Sequence, residues 1–341
     1  MERSVEKDWP LAEAPRELLE RVINRVQQRF AGKRELIEKC MLSFVSGGHV
    51  LLEDVPGVGK TLLAQTIANA LDMDFHRVQC TPDVMPADLT GYPIYHQPSH
   101  RFEFQKGPLH CNLLLADELN RTTPRTQSAL LEAMGEGSIS VDGTQMPLPV
   151  PFLVIATQNP SSFEGTYPLP EAQLDRFMMK LSLGYPDPDS EVRMLDQTDR
   201  LAERARQKRP ILFREEFVQL MKQRAKVYVD PALKSYMVAL VTQTRQHADI
   251  SLGASPRATV QLLQCAQARA MLAGRSYAIP DDIRAMAPHV LAHRMVWHTR
   301  HAYTHQEAVA WMSELVHAIP VPVFSASGVR SNRDVKQRVP G

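Results

Sequence analysis

Apolar residues recur with helical spacing in two stretches near the start of the chain, 17–30 and 36–44. A short, β-prone apolar run over 49–52 follows, and helical spacing returns over 62–71. Spacing of three and four residues indicates a helix with one buried face, whereas a short apolar run closed by turn residues is typical of a buried strand. The pattern therefore predicts two helices, a strand and a third helix in succession.

Further along the chain, strands are predicted over 75–79, 111–116, 152–157 and 178–183. The second and third of these are apolar on both faces, which is typical of central parallel strands. After residue 185 the spacing is helical, over 190–206, 214–227, 231–247, 259–273, 280–293 and 305–318. We therefore predict an α/β fold in which a domain with a five-stranded parallel sheet is followed by a smaller all-α domain.

A glycine-rich loop joins the first strand to the third helix, and it consists of Val55, Pro56, Gly57, Val58, Gly59, Lys60, Thr61 and Leu62. Glycines let several backbone N–H groups converge on one anion, and the start of the following helix adds partial positive charge. Lys60 can reach the outer phosphates of a nucleoside triphosphate, and the Thr61 hydroxyl can ligate Mg²⁺. The strict phosphate-loop pattern has glycine where this chain has Asp54, but the strand, loop and helix follow in the required order.

Two acidic residues end the predicted strand at 111–116. An apolar strand that ends in Asp117 and Glu118 matches the second half of a nucleotide site. Asp117 can hold Mg²⁺, and Glu118 can polarise the water that attacks the γ-phosphate. Acidic residues often end strands, so this pair alone is weak evidence for a nucleotide site. It becomes strong evidence together with the upstream Gly59-Lys60-Thr61.

The composition is that of a globular protein, with 44% hydrophobic and 23% charged residues among 341. A formal net charge of +1 gives no strong basic field that would favour nucleic acid. Four scattered cysteines, without a C-x-x-C pair, favour reduced thiols in a cytosol over a disulfide framework or a zinc site. The charged N-terminus differs from a signal peptide, and no apolar run reaches the roughly 20 residues of a membrane span, so we expect a cytoplasmic protein.

Several segments in order resemble the AAA+ ATPases, and specifically the MoxR family. They are EDVPGVGKTLLAQ, VQCTPDVMPADLTGY, ADELNRTTPRTQSALLEAM, ATQNP, EGTYPLPEAQLDRF and GASPRA, spread over residues 53–258. The similarity is expected to extend over about 18–318. AAA+ loops vary at the position of Asp54, so the missing glycine weighs little in this family.

The resemblance implies roles for two residues beyond the loop and the acid pair. Asn159 matches sensor 1, where a neutral amide orients the attacking water together with Glu118. Arg257 matches sensor 2, which ties the lid to the nucleotide. Simpler alternatives stay open for both: a turn-forming asparagine before Pro160, and a helix-start arginine without a ligand.

Arg176 matches the arginine finger that reaches the γ-phosphate bound to the neighbouring subunit. In NTPases such an arginine contributes about 10³–10⁵ in rate. The alternative is a surface ion pair with Asp175 or Glu171. Arg121 and Arg125 also face an expected subunit boundary and are the other candidates for the finger.

Composition predicts a flexible N-terminal arm (1–16) and a disordered tail (319–341). Between them the resemblance implies an AAA+ nucleotide-binding domain (17–184) and an all-α lid (185–318). Within the AAA+ domain, 89–108 corresponds to the helix-2 insert. Residues 138–148, with an Asp-Gly turn between β-prone arms, correspond to the pre-sensor-1 hairpin. In this clade both features tend to point toward the ring pore or a ring face.

The family implies an ATP- and Mg²⁺-dependent motor that acts as a homo-oligomeric ring, with a hexamer expected. Its implied work is chaperone-like remodelling or maturation of a protein complex, including metal loading of a client enzyme. Expected partners are further copies of this chain, a protein with a von Willebrand factor A domain, and a protein client.

One alternative is a DNA-directed AAA+ motor, which the lack of basic excess disfavours. Another is a nucleotide-switched scaffold with little turnover, which the intact Glu118 and Arg176 disfavour.

Histidines are frequent late in the chain, at His289, His293, His298, His301 and His305. Pairs four residues apart can bind a metal, but no acidic partner with suitable spacing accompanies them. We expect a solvated or interface-facing helix end rather than a metal site.

Overall fold

The computed structural model of the protein describes residues 13–30, 32–53, 57–98, 100–159, 165–185, 188, 191–192, 210–298 and 304–321. The arm predicted over 1–16 and the tail predicted over 319–341 lie mostly outside these residues, and so does the helix predicted over 190–206. The boundary between the two domains at 184 and 185 stays a prediction.

The strands are β1 (His49–Glu53), β2 (Phe75–Gln79), β3 (Gly91–His96), β4 (Arg101–Lys106), β5 (Leu113–Asp117), β6 (Ser138–Val141), β7 (Thr144–Pro147), β8 (Leu153–Gln158), β9 (Phe177–Leu181), β10 (Ile250–Leu252) and β11 (Val296–Trp297). The helices are α1 (Pro15–Gln27), α2 (Arg34–Val45), α3 (Lys60–Ala70), α4 (Pro86–Thr90), α5 (Pro124–Glu136), α6 (Glu171–Leu174), α7 (Arg214–Arg224), α8 (Pro231–Gln246), α9 (Pro256–Leu272), α10 (Pro280–Leu291) and α11 (His305–Ala318).

The central sheet has five strands in the order β2–β5–β8–β1–β9, and every neighbouring pair is parallel. This confirms the predicted α/β fold with a five-stranded parallel sheet. Because all strands run in one direction, their carboxyl ends meet at a single edge of the sheet. That edge carries the ends of β2, β5 and β8 side by side, and the loop after β1 opens there.

Alternate residues of the inner strands pack into two separate cores. Val50 and Leu52 of β1 face one core, whereas Leu51 faces the other. The first core also receives α1, α2 and α3, and the second receives α5. Since successive side chains of a strand point to opposite faces, apolar runs such as Leu113–Ala116 are buried on both sides.

The two predicted insertions are antiparallel hairpins. β3 pairs with β4 over residues 91–106, following the short helix α4, and β6 pairs with β7 around Asp142-Gly143. Both residues of that turn have positive φ, 49° and 76°, as a two-residue hairpin turn requires. The first insertion, predicted over 89–108, therefore consists of a short helix and a regular hairpin.

The C-terminal region is helical, and its helices begin at recognisable caps. The Ser255 side chain accepts a hydrogen bond from the Ala258 amide at the start of α9, and Thr304 accepts one from Glu307 at the start of α11. Residues of α8 to α11 share the first core with the sheet.

The helical lid also contains a short antiparallel ribbon, β10–β11, which helical spacing did not predict. Within the described ranges, no helix is both long and apolar enough to cross a membrane.

Candidate functional site

The glycine-rich loop and the carboxyl ends of β2, β5 and β8 surround one cavity of about 480 Å³. Its described lining consists of Gly57, Gly59, Lys60, Thr61, Leu62, Arg77, Gln79, Asp117, Glu118 and Asn159. Eight of the residues singled out from the sequence as the loop, the acid pair or sensor 1 are therefore brought together in one place. Val55 and Pro56 lie outside the described residues, and the Val58 side chain packs against the hydrophobic core instead.

The loop takes a backbone conformation that favours glycine. Gly57 and Gly59 have φ of 87° and 90°, in the left-handed region that side chains with a Cβ rarely adopt. Gly59 is also the N-cap of α3, so the helix begins at the cavity and its first backbone N–H groups have no partner within the helix. Unsatisfied amides and the helix dipole make this end of α3 suited to an anion such as a phosphate.

Thr157 holds both acidic residues in position. Its hydroxyl donates to Asp117 Oδ1 at 2.7 Å and accepts from the Glu118 backbone N–H at 2.8 Å. Glu118 itself has φ 55° and ψ 47°, a left-handed conformation that is uncommon for a residue other than glycine. Strained backbone of this kind is concentrated at functional sites, where surrounding contacts hold it.

Each acid is also bound by a neighbouring polar side chain. Arg77 Nη2 donates to Asp117 Oδ2 at 2.7 Å. Glu118 Oε2 accepts from Gln79 Nε2 at 3.1 Å and from Arg121 Nη1 at 3.0 Å. In this state both carboxylates are therefore paired with cations of the same chain.

Three residues of the site were not predicted from the sequence: Arg77, Gln79 and Thr157. Arg77 and Gln79 are two positions apart on β2, so they share one face of the strand that neighbours β5. The alternation of polar residues along this strand could be seen in the sequence. It indicates a place in the site only once β2 is known to lie beside β5. Thr157 is fully buried near the end of β8, and a threonine at the end of a buried strand gives no signal of its own.

The residues present fit a Mg²⁺ ion bound together with a nucleotide. Thr61 offers a hydroxyl and Asp117 a carboxylate in the same cavity, and Mg²⁺ prefers oxygen ligands of this kind. Lys60 lines the same cavity beside the start of α3, so phosphate oxygens would meet both a cation and backbone amides. The donor set thus suits the triphosphate-bound metal that phosphate loops hold.

Comparison with known proteins agrees with this geometry. A family model for the ATPase family associated with various cellular activities matches residues 49–179, and a model for the AAA lid domain matches residues 242–311. The chain is 42% identical to Chaperone MoxR1 of Mycobacterium tuberculosis, over 82% of this chain and 75% of the relative. It is 30% identical to Protein MoxR of Methylorubrum extorquens, over 84% of this chain and 88% of that protein.

The chain belongs to the MoxR family of AAA+ ATPases.

The Bacillus subtilis protein YeaC is a further relative of this MoxR-family chain, 45% identical over 90% of this chain and 95% of YeaC. A crystal structure of a Cytophaga hutchinsonii protein superposes with a TM-score of 0.83 at 36% identity, covering 91% of this chain and 96% of that one. These comparisons support the AAA+ fold with its helical lid over nearly the whole described chain.

Two arginines that the MoxR resemblance singled out lie away from the cavity lining of their own chain. Arg176 follows α6, and its Nη1 donates to the Leu131 carbonyl of α5 at 2.7 Å. Arg257 is exposed in the first turn of α9. Among the alternative fingers, Arg121 pairs with Glu118, while Arg125 is exposed on α5. The roles of these four arginines stay predictions.

The expectation of a solvated or interface-facing helix end is wrong for His293. His293 is buried and its Nε2 contacts the Phe177 carbonyl of β9 at 3.1 Å, because the end of α10 packs onto the sheet. Burial lowers the pKa of His289 to about 4 and lowers the pKa of His293 well below its usual value. His301 lies outside the described residues. Across the part of the chain that is described, no three His, Cys, Asp or Glu side chains are grouped to hold a metal.

All four cysteines are unpaired and buried. Burial raises the pKa of each thiol to about 12, so these groups stay protonated near neutral pH. They are inert core residues rather than nucleophiles, in line with the scattered spacing.

Proposed function

We propose that this MoxR-family protein hydrolyses ATP with Mg²⁺ as a homo-oligomeric ring, a hexamer, with each site completed at a subunit boundary. The observation that carries the proposal is the single cavity in which Lys60 and Thr61 face Asp117 and Glu118. A phosphate-binding helix start opposite a metal-binding acid and a candidate base is the arrangement that phosphoryl transfer to water needs. Family membership supports the same reaction.

Each side chain has a distinct role in the proposed reaction. Lys60 and the amides at the start of α3 bind the β- and γ-phosphates. Thr61 and Asp117 would hold Mg²⁺, which would supply positive charge against the phosphate oxygens. Glu118 accepts a proton from the attacking water, and Asn159 orients that water.

Before Glu118 can act as a base, its carboxylate must exchange its contacts with Gln79 and Arg121 for the water. Asp117 must likewise release Arg77 from Oδ2. Arg176 would approach the γ-phosphate from the neighbouring subunit, since it does not line the cavity of its own chain. We therefore expect these contacts to rearrange when nucleotide binds.

The work that we propose is chaperone-like remodelling or maturation of a protein complex in the cytoplasm, including metal loading of a client. The name Chaperone MoxR1 of one relative supports a protein client. A protein with a von Willebrand factor A domain is the proposed partner, on the strength of the family resemblance. The near-neutral net charge of +1 argues against a DNA track.

ATP turnover at increasing protein concentration tests the proposal. Wild-type specific activity should rise with concentration as rings form, and Glu118→Gln should abolish it. Glu132→Gln is the matched control, because Glu132 is an exposed acid on α5. Turnover that is absent in the wild type while ATP still binds would support a nucleotide-switched scaffold. Turnover that survives in Glu118→Gln would overturn the assigned base.

A further inference from the structure

A buried arginine joins the lid to the sheet at one point. Arg294 ends the short 3-10 turn after α10 and is only 4% exposed. Its Nη2 donates to the Phe177 carbonyl at the start of β9 and to Gln261 Oε1 of α9. Its Nε donates to His293 Nε2 at 3.2 Å. One guanidinium therefore contacts two lid elements and the first residue of a sheet strand.

The remaining nitrogen of Arg294 faces an acid on the loop before β9. Nη1 lies 3.5 Å from Asp175 Oδ1, an ion pair that is longer than a hydrogen bond. Within the described part of the chain, this buried Nη1 has no hydrogen-bond acceptor. A buried cation is costly unless an opposite charge is near, so Asp175 is the acid that compensates Arg294 at this point.

The same carboxylate is held from the other side by the start of α9. Ser255 Oγ lies 2.8 Å and 2.9 Å from the two oxygens of Asp175, to which it donates. Ser255 is also the N-cap of α9, because its Oγ accepts from the Ala258 amide. The direction in which α9 begins is therefore fixed to the position of Asp175. We call Asp175, Ser255 and Arg294 the lid junction.

The chain places the lid junction between two arginines of the proposed machinery. Arg176 directly follows Asp175, and Arg257 lies two residues after Ser255. The Cα atoms of Arg176 and Arg257 therefore follow any movement of Asp175 and Ser255, since the peptide backbone between each pair is only one or two residues long.

We propose that the lid junction is a positioning unit that couples Arg257 to Arg176. It rests on the proposed function, in which Arg257 contacts the nucleotide of its own subunit and Arg176 contacts that of the next. When nucleotide draws the start of α9 toward the cavity, Ser255 carries Asp175 with it, and Arg294 keeps the loop attached to β9. The finger loop then changes position, so the occupancy of one site reaches its neighbour.

Ser255→Asp breaks the junction while keeping the helix cap, because aspartate caps helices as well as serine but its charge repels Asp175. Ser235→Asp is the matched control, since Ser235 is an exposed residue of α8. The measurements are the Kd for Mg²⁺ and the slowly hydrolysed analogue ATPγS, ATP turnover, and hydrogen exchange with and without ATPγS over 171–177 and 256–260.

We expect Ser255→Asp to bind ATPγS within about threefold of the wild type and to lose at least about tenfold in kcat, a change specific to the chemical step. Its exchange response to ATPγS should persist over 256–260 and disappear over 171–177. If the lid junction only stabilised the fold, the variant would change protection from hydrogen exchange equally with and without ATPγS. Unchanged kcat with a retained response over 171–177 would overturn the inference.

If Ser255→Asp melts well below the control, Ser255→Gly decides the question, because it removes the hydroxyl that donates to Asp175 and glycine is tolerated at an N-cap. A wild-type response over 171–177 in Ser255→Gly would then overturn the inference, and a lost response would support it. Failure of the proposed function is distinct, since it would appear as wild-type protein that does not bind ATPγS or turn over ATP.

Discussion

Arg77 Nη2 donates to Asp117 Oδ2 at 2.7 Å, across the boundary between β2 and β5. Among the described residues that line the cavity, Asp117 and Glu118 are the two that carry a carboxylate, and Mg²⁺ is expected to bind Asp117. The arginine thus occupies one oxygen of the proposed metal ligand, while Thr157 occupies the other. Binding of the metal therefore competes with an internal cation.

Arg77→Ala should lower the Mg²⁺ concentration needed for half-maximal ATP binding, because Asp117 loses a competing cation. The Arg77 side chain is 47% exposed, so solvent screens the pair, and we expect a shift of about two- to fivefold. Titration of a fluorescent ATP analogue with Mg²⁺ measures it. Arg101→Ala, on the exposed strand β4, is the control. An unchanged Mg²⁺ dependence would show that Arg77 does not compete.

Thr157→Val should impair both the acid pair and the fold, because its isosteric side chain lacks the hydroxyl that binds Asp117 and the Glu118 amide. Leaving a buried N–H without an acceptor costs about 1–3 kcal/mol of unfolding free energy. We expect turnover to fall by about 10²-fold, since the acids lose their fixed geometry. Thr157→Ser keeps the hydroxyl and should retain most of both properties. Urea unfolding and steady-state ATP turnover measure the two effects.

The sequence was sufficient to place site residues whose position depends on a single strand or loop. Asp117 and Glu118 could be placed at a strand end because the run Leu113–Ala116 is too apolar for any exposed position, and the loop at Gly59 could be placed by its glycines. The order of the strands was not readable, so the pairing of Arg77 with Asp117 could not be predicted. That pairing joins residues 40 positions apart through the register of β2 on β5.

The lid shows the same limit. Helical spacing predicted α11 with both of its ends and α8 to within one residue, but His293 was expected at a solvated or interface-facing helix end. Its burial arises because α10 packs on β9, a contact between elements that the local pattern does not contain. Short ribbons such as β10–β11 have too few residues to establish a period of two, and they form because distant segments meet.

Arg176→Ala should leave ATP binding within about threefold of the wild type but reduce turnover by about 10³-fold or more, because a trans arginine acts on the transition state. Arg176→Ala and Glu118→Gln subunits each lack a different half of a shared site. Mixing the two inactive variants should therefore restore turnover. Full turnover by Arg176→Ala alone would assign the finger to Arg121 or Arg125 instead.

Gly135→Ala separates Arg176, the proposed finger, from its contact with α5. An added Cβ would lie 2.0 Å from Arg176 Nη1, so the end of this flexible side chain must leave the Leu131 carbonyl. The helix itself gains about 0.5–1 kcal/mol from replacing glycine by alanine. We expect unchanged or raised stability in thermal unfolding, and at least wild-type turnover. A loss as large as that of Arg176→Ala would show that the Leu131 contact is part of the active arrangement.

The pH dependence of stability should reveal the buried histidines, and His49 is the best defined of them. Its Nδ1 accepts from the Val154 amide and its Nε2 donates to the Met134 carbonyl, both at 3.1 Å, so the ring is held neutral between β8 and α5. Burial lowers the pKa of His49 to about 4 from its ordinary 6.5. Between these two values the unfolded chain binds more protons than the folded one, so stability falls as the pH falls.

We therefore expect the stability contributed by neutral His49 to be complete above pH 6.5 and to be lost progressively as the pH falls toward about 4. One histidine contributes a slope of at most about 1.4 kcal/mol per pH unit in this window. His49→Gln should lower the total slope by up to that amount, and His289→Gln on α10 should lower it further, because burial also lowers the pKa of His289 to about 4. Urea unfolding at several pH values measures the slopes. Slopes that are equal in the wild type and both variants would show that these rings do not resist protonation in the folded protein.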